Sequence, residues 1–248
     1  MKNINIDIYN YMPKDKINES LNKTSEVLNK KSKKKLKNLE KYGMNEKIVF
    51  TRIYKNNEWN SEESSSGTGS TLKETEKIRE KIPPLIESLK IERFLDAPCG
   101  DFNWMKFVNL PVKKYIGLEI VEEIAEKNKE RYSNKQREFL NLNILKDILP
   151  ESDIIMCRDC LVHFPFEEIF TTIKNFKKTG AKYLLTTTFP KLSHNLDLSK
   201  IGDWRALNLE IEPFNFPKPL TLILEELDIE DEVFKSKSLG LWKLDQLI

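Results

Sequence analysis

The chain has 248 residues, with 41 lysines and arginines set against 39 aspartates and glutamates for a formal net charge of +2. That length can bury one sizeable core with room for a small helical appendage, and the near balance of charge gives no global field directing the chain to nucleic acid. No apolar run approaches the ~20 residues of a membrane span, and the opening Met1-Lys2-Asn3-Ile4-Asn5-Ile6-Asp7 lacks the apolar core of a secretion signal, so the expected location is the cytoplasm. Three cysteines, Cys99, Cys157 and Cys160, are too few and too unevenly spaced for a disulfide framework.

Residues 1–57 read as a basic helical extension. Lys30, Lys31, Lys33, Lys34, Lys35 and Lys37 place six lysines in eight positions, beside an apolar stripe of Ile17, Leu21, Val27, Leu28, Leu36 and Leu39. The pattern is that of a solvated helix face whose stripe packs on the domain, on a second copy in a homodimer, or on a partner subunit. A tail gripping phosphates is the sharper alternative.

Residues 58–90 read as a loop and helix on the substrate and cofactor side. The polar stretch from Trp59 through Ser64-Ser65-Ser66-Gly67-Thr68-Gly69-Ser70 is either a flexible linker or a loop folding over a ligand. On the second reading Trp59, Ser66 and Thr68 reach the acceptor. A capping-box pattern from Thr71 to Glu74 starts a helix expected over Thr71 to Arg79, with Pro83-Pro84 interrupting or restarting it.

From residue 91 onward apolar runs alternate with helical patterns. Ile91 to Leu95 reads as a buried parallel strand ending in Asp96, followed by Ala97-Pro98-Cys99-Gly100-Asp101-Phe102-Asn103-Trp104, in which Gly100 makes a tight turn where a Cβ would crowd a ligand. A second run, Tyr115-Ile116-Gly117-Leu118, ends in Glu119, the usual position of an acid that holds ribose hydroxyls. The G-x-G-x-x-G spacing of a nicotinamide site is absent. A third apolar segment precedes Asn141-Leu142-Asn143; Asp153 to Cys157 is a fourth strand, Glu167 to Lys178 a helix closed by Gly180, and Lys182 to Phe189 a fifth strand ending at Thr188 and Phe189. Leu220 to Glu225 and Ser238 to Leu244 supply a final pair.

With an acid, a glycine turn, a second acid and a post-strand loop in this order, the stretch from Phe94 to Ile248 resembles class I S-adenosylmethionine-dependent methyltransferases. Asp96 matches the acid of that family's first motif and Gly100 its middle glycine, while Pro98 and Phe102 stand where the other glycines fall. The resemblance implies an α/β, Rossmann-like, seven-stranded and mostly parallel sheet with flanking helices and an antiparallel last strand. It implies S-adenosylmethionine as cofactor and S-adenosylhomocysteine as product. Asp96, Ala97, Pro98, Gly100 and Trp104 then shape the methionine end, Glu119 and Ile120 the ribose side, Asn143 and Ile144 the adenine side, and Arg158 and Cys160 the reacting end. An amide at Asn143 can still bond the adenine amine.

In this fold the loop after the fourth strand faces the transferable methyl, which makes His163 the candidate base, with Asp159 orienting it or contacting the cofactor. His194 is the reserve. Cys157-x-x-Cys160 lacks a second ligand pair, so no metal is expected. Trp204, able to stack on a sugar or base, and Arg205, able to bind carboxylate or phosphate, are acceptor candidates together with Thr188. The nearest likeness is to bacterial surface-glycan, capsule-pathway methyltransferases, which implies O-methylation of a sugar or of a phosphate-derived substituent on one, with a small-molecule or glycan acceptor and no nucleic acid. A small-molecule N-methyltransferase and a noncatalytic cofactor-binding partner subunit are the alternatives.

Overall fold

Runs that are apolar on both faces pair side by side at the centre of the molecule. The computed structural model describes residues 45–248, and the lysine run and apolar stripe, with the dimer or partner role given to them, lie outside the described residues. Seven strands, β1 (Arg93–Asp96), β2 (Lys114–Glu119), β3 (Arg137–Asn141), β4 (Ile154–Cys157), β5 (Tyr183–Thr188), β6 (Thr221–Leu224) and β7 (Ser238–Lys243), form one sheet in the order β3-β2-β1-β4-β5-β7-β6. β3, β2, β1, β4 and β5 are parallel to one another, and β7 runs antiparallel to both β5 and β6. The chain leaves β1 toward β2 and β3, then returns to β4 on the other flank. This reversal opens a crevice at the carboxyl ends of β1 and β4, where open α/β sheets bind ligands.

Alternation along the strands sends Phe94, Tyr115, Ile154 and Met156 to one face and Leu95, Ile116, Ile155 and Cys157 to the other. The first face is covered by α2 (Glu76–Ser88) through Ile78, Ile82 and Ile86, all fully buried, and the second by α4 (Phe166–Lys177) through Ile169, Ile173 and Phe176. The helix α1 (Glu46–Lys55) falls in the same compact unit as the sheet. The remaining helices are α3 (Glu122–Tyr132) and the single turn α5 (Glu232–Lys235), capped by the Asp231 carboxylate, which accepts from the Val233 and Phe234 N–H groups. Among the described residues no helix is long and apolar enough to cross a membrane.

The segment before β1 departs from expectation. The Thr71 hydroxyl accepts from the Glu74 N–H at 3.4 Å and its carbonyl from Thr75 Oγ1 at 2.7 Å, but these bonds form a turn, and α2 begins only at Glu76. It then runs unbroken through Pro83-Pro84. Proline removes two helix hydrogen bonds there, yet the isoleucine stripe at i, i+4, i+8 outweighs the loss by burying three side chains against the sheet. Pro84 faces solvent, so Pro84→Ala is expected to restore a backbone bond at no packing cost and raise stability by about 1–3 kcal/mol. An unchanged or lower midpoint in urea denaturation would show that the proline is already accommodated.

Candidate functional site

The turn after β1 is built around Gly100, whose φ of +54° suits glycine and whose missing Cβ would otherwise fall 2.2 Å from Ser66 Oγ. The serine belongs to the stretch expected as linker or covering loop, and the structure fastens that stretch down. Asp101 accepts from Ser64 Oγ at 3.0 Å, from the Ser65 N–H at 2.7 Å and from the Asn103 N–H at 3.2 Å, while Ser66 Oγ accepts from the Asp101 N–H at 3.0 Å. Glu63 holds the same stretch from another side, accepting from the Leu72 N–H and Asn103 Nδ2, both at 2.7 Å. The loop is therefore a roof.

Beneath it lies a cavity of about 480 Å³, within the ~300–1,000 Å³ range of small-molecule sites. Asp96 lines it from the tip of β1. Its Oδ2 accepts from the Tyr115 hydroxyl at 2.6 Å, whereas Oδ1 is buried with no partner among the described residues. Burial pushes the Asp96 carboxyl up to about 7, against the opposing pull of Tyr115 and Arg158. Glu119, at the tip of β2, is likewise pushed up to about 7 by burial, although it accepts from the Val121 N–H at 2.8 Å.

Two residues beyond β4 the backbone enters the left-handed region at Asp159, φ +50°, held there by Thr187 Oγ1, which accepts from its N–H at 2.8 Å. Arg158 forks onto Glu225, with Nη2 at 2.6 Å and Nε at 3.1 Å, and its Nη1 lies 3.2 Å from Asp159. Lys237 Nζ closes the ring at 2.7 Å from Asp159 and 3.2 Å from Glu225. Burial pushes the Asp159 carboxyl up, but the charges of Arg158 and Lys237 outweigh it and hold the group at about 2.

His163 closes a short 3₁₀ turn, Leu161–His163, and lines the same cavity. Its Nδ1 lies 2.9 Å from the Asp203 carbonyl oxygen, which only accepts, so Nδ1 carries the proton and Nε2 the free lone pair. Burial pushes the imidazole below its ordinary value, keeping it neutral. The ring packs 5.2 Å from that of Trp59, which is braced in turn by Phe50 of α1.

The structure thus brings Trp59, Ser66, Thr68, Asp96, Pro98, Gly100, Trp104, Arg158, Asp159, His163 and Trp204 around one cavity. Ala97, Glu119, Ile120, Asn143, Ile144, Cys160, Thr188 and Arg205 do not line it. Asn143 is engaged locally, with Nδ2 donating to Glu46 of α1 at 3.1 Å and Oδ1 accepting from the Leu145 N–H at 2.9 Å; Ile144 is buried in the core. Arg205 is a clamp and not a ligand fork: it donates to the carbonyls of Leu161 at 2.8 Å, Phe164 at 2.5 Å and Leu196 at 3.2 Å. Thr188 Oγ1 serves the backbone of Leu207 and Leu209. The Asp203 carbonyl orients His163, while the Asp159 carboxylate is taken up by Lys237 and Arg158. His194 stands exposed outside the cavity beside Ser193. A hydrogen bond with Cys157, and then burial, push the Cys160 thiol up, and among the described residues no three histidines, cysteines or acids group as metal ligands. Sequence reading missed Asp101, Lys237 and Glu225. Asp101 follows directly on Gly100, which was its one available signal; Lys237 and Glu225 carry none.

No family model and no curated protein sequence matches the chain. Among solved structures it is similar to magnesium protoporphyrin IX methyltransferase from Synechocystis PCC 6803 with bound SAM, at 12% identity and a TM-score of 0.51, over 80% of this chain and 97% of that one. Human N-acetylserotonin methyltransferase in complex with SAM aligns at 15% identity and a TM-score of 0.48, over 83% of this chain and 61% of its own. A SAM-dependent methyltransferase from Clostridium acetobutylicum ATCC 824 aligns at 15% and 0.46, over 68% and 91%. The first likeness, with the strand order and the antiparallel β7, establishes the fold as the Rossmann-like fold of class I methyltransferases.

Two outcomes follow from the buried charges. Removing Glu225 leaves Arg158 and Lys237 short of a carboxylate, so Glu225→Ala is expected to cost about 3–5 kcal/mol in urea denaturation; a loss below ~1 kcal/mol would mean the ring contributes no more than a surface pair. Asp96 keeps its proton in the folded state up to about 7 but loses it near 4 when unfolded. Folding is thus favoured at low pH, and the advantage is lost as pH rises through that window. Asp96→Asn removes the dependence, so its stability relative to wild type should climb between about pH 4 and 7. A constant difference would place the Asp96 carboxyl at its ordinary value.

Proposed function

We propose that this protein transfers the methyl group of S-adenosylmethionine to a hydroxyl of a small acceptor. On the sequence reading that acceptor is a sugar, or a phosphate-derived substituent on one, in surface polysaccharide biosynthesis. The observation that carries the proposal is the pairing of Asp96 and His163 on one cavity, the first with a buried carboxyl oxygen and the second with a neutral ring nitrogen, neither of them partnered among the described residues.

The residues present fit the cofactor. Asp96 Oδ1 lacks only a donor among the described residues, which the ammonium of a methionine moiety would provide. Glu119, at the tip of β2, keeps the ribose assignment of the sequence reading, although it does not line the cavity. Asn143 is not carried forward as the adenine contact, because Glu46 and Leu145 already engage its amide.

Bound there, S-adenosylmethionine supplies a methyl carbon already activated by its sulfonium. With that methyl in reach, His163 Nε2 would accept the proton of the acceptor hydroxyl as its oxygen is methylated. The roof residues 66–71 and the walls of Trp59 and Trp104 would hold the reactants aligned.

Calorimetric titration is expected to show saturable binding of S-adenosylmethionine and S-adenosylhomocysteine and none of NAD. Lack of binding by folded protein would sink the assignment. His163→Ala is expected to slow turnover by about 10²–10⁴-fold with cofactor affinity unchanged. Wild-type turnover in that variant would remove the histidine as base, as would binding without methylated product across a broad acceptor panel, which favours a noncatalytic partner.

A further inference from the structure

The outer part of the cavity has two chemically different walls. One is aromatic: Trp204 stacks on Phe234 with centroids 5.4 Å apart and planes 19° from parallel, and Phe189 meets Trp204 edge-on at 6.1 Å. Phe234 covers one side of the indole, yet Trp204 stays 45% exposed, so its other side is open to a ligand. A second wall is the roof loop, whose Ser66, Thr68, Ser70 and Thr71 line the same cavity. An acceptor touching both walls needs an apolar face and a polar rim. A fully apolar ring would leave the loop's hydroxyls and amides without partners.

Charge narrows the class further. Arg158 and Lys237 are already balanced by Asp159 and Glu225. Two further acids on the cavity, Glu74 and Asp101, have no cation within ion-pair distance among the described residues, and Asp101 is satisfied by hydroxyls and backbone amides alone. Uncompensated charge in the cavity is negative. It suits a cationic cofactor and opposes a phosphate or diphosphate group entering beside it.

Resting on the methyl-transfer reading above, we infer that the acceptor is an uncharged saccharide, its C–H face lying on the open side of Trp204 and one hydroxyl reaching His163. The partly positive C–H groups of such a ring are attracted to the negative face of the indole. The two tasks share one short segment. The Asp203 carbonyl fixes the histidine, the next residue is the platform, and Arg205 after it is bonded to the carbonyls on either side of the His163 turn. The inference excludes the phosphate-bearing acceptor that the sequence left open.

The test is saturation-transfer NMR on the full chain, with and without S-adenosylhomocysteine, using methyl glycosides of glucose, galactose and mannose, the corresponding sugar 1-phosphates, and phenol and a small aliphatic amine as controls. At least one methyl glycoside should bind, more tightly than its 1-phosphate. Trp204→Ala should weaken that binding by about five- to tenfold, and Trp204→Phe should retain most of it. Since Trp204 is exposed, both variants are expected to fold, as checked by their melting curves. Preference for a sugar phosphate, phenol or the amine, an unchanged affinity in Trp204→Ala, or no glycoside binding at all would each overturn the inference. Failure to bind S-adenosylhomocysteine would instead strike the methyl-transfer reading, and the arm without it tests the platform independently.

Discussion

The candidate site depends on a ring of four charges, three of them buried and the fourth, Asp159, half-buried. Arg158 and Asp159 leave the carboxyl end of β4, Glu225 follows β6, and Lys237 precedes β7. Their mutual bonds tie the centre of the sheet to its antiparallel edge at the level where ligands bind. None of the four could be buried alone, because an isolated charge in that environment costs several kcal/mol. Together they are neutral, and they let a polar, well-determined wall stand where an apolar one would pack more cheaply. The left-handed backbone at Asp159 is tolerated because Thr187, Arg158 and Lys237 all hold that residue.

Two further fastenings complete the enclosure, and both rely on one side chain serving several backbone groups. Asp101 gathers the serine stretch over the Gly100 turn, and Arg205 gathers three carbonyls beneath the His163 turn. Loops of this length would otherwise be free to move. Each becomes a wall because a single buried or half-buried group satisfies several of its polar atoms at once.

The parallel strands and the turn after β1 were legible because their signals are local: apolar runs bounded by Asp96, Gly100 and Glu119 define strand ends without reference to distant sequence. The fastenings were not legible, because Asp101 and Lys237 meet their partners only after the chain has folded, and nothing near Lys237 in sequence separates it from surface lysines. Arg205 beside an exposed tryptophan suggested a ligand fork until its three carbonyl partners were in place. The prolines in α2 misled for the opposite reason. The local penalty was visible, whereas the burial of Ile78, Ile82 and Ile86 that overcomes it is tertiary.

Asp101 holds the roof through hydroxyl and amide donors, with no lysine or arginine taking part. Dissolved ions weaken attractions between opposite charges over about 8–10 Å, but they have little purchase on short bonds from neutral donors in a half-buried site. The roof's attachment is accordingly indifferent to ionic strength, while the passage of charged molecules past it is not. A rise in salt would change which ligands arrive and leave the enclosure that receives them intact.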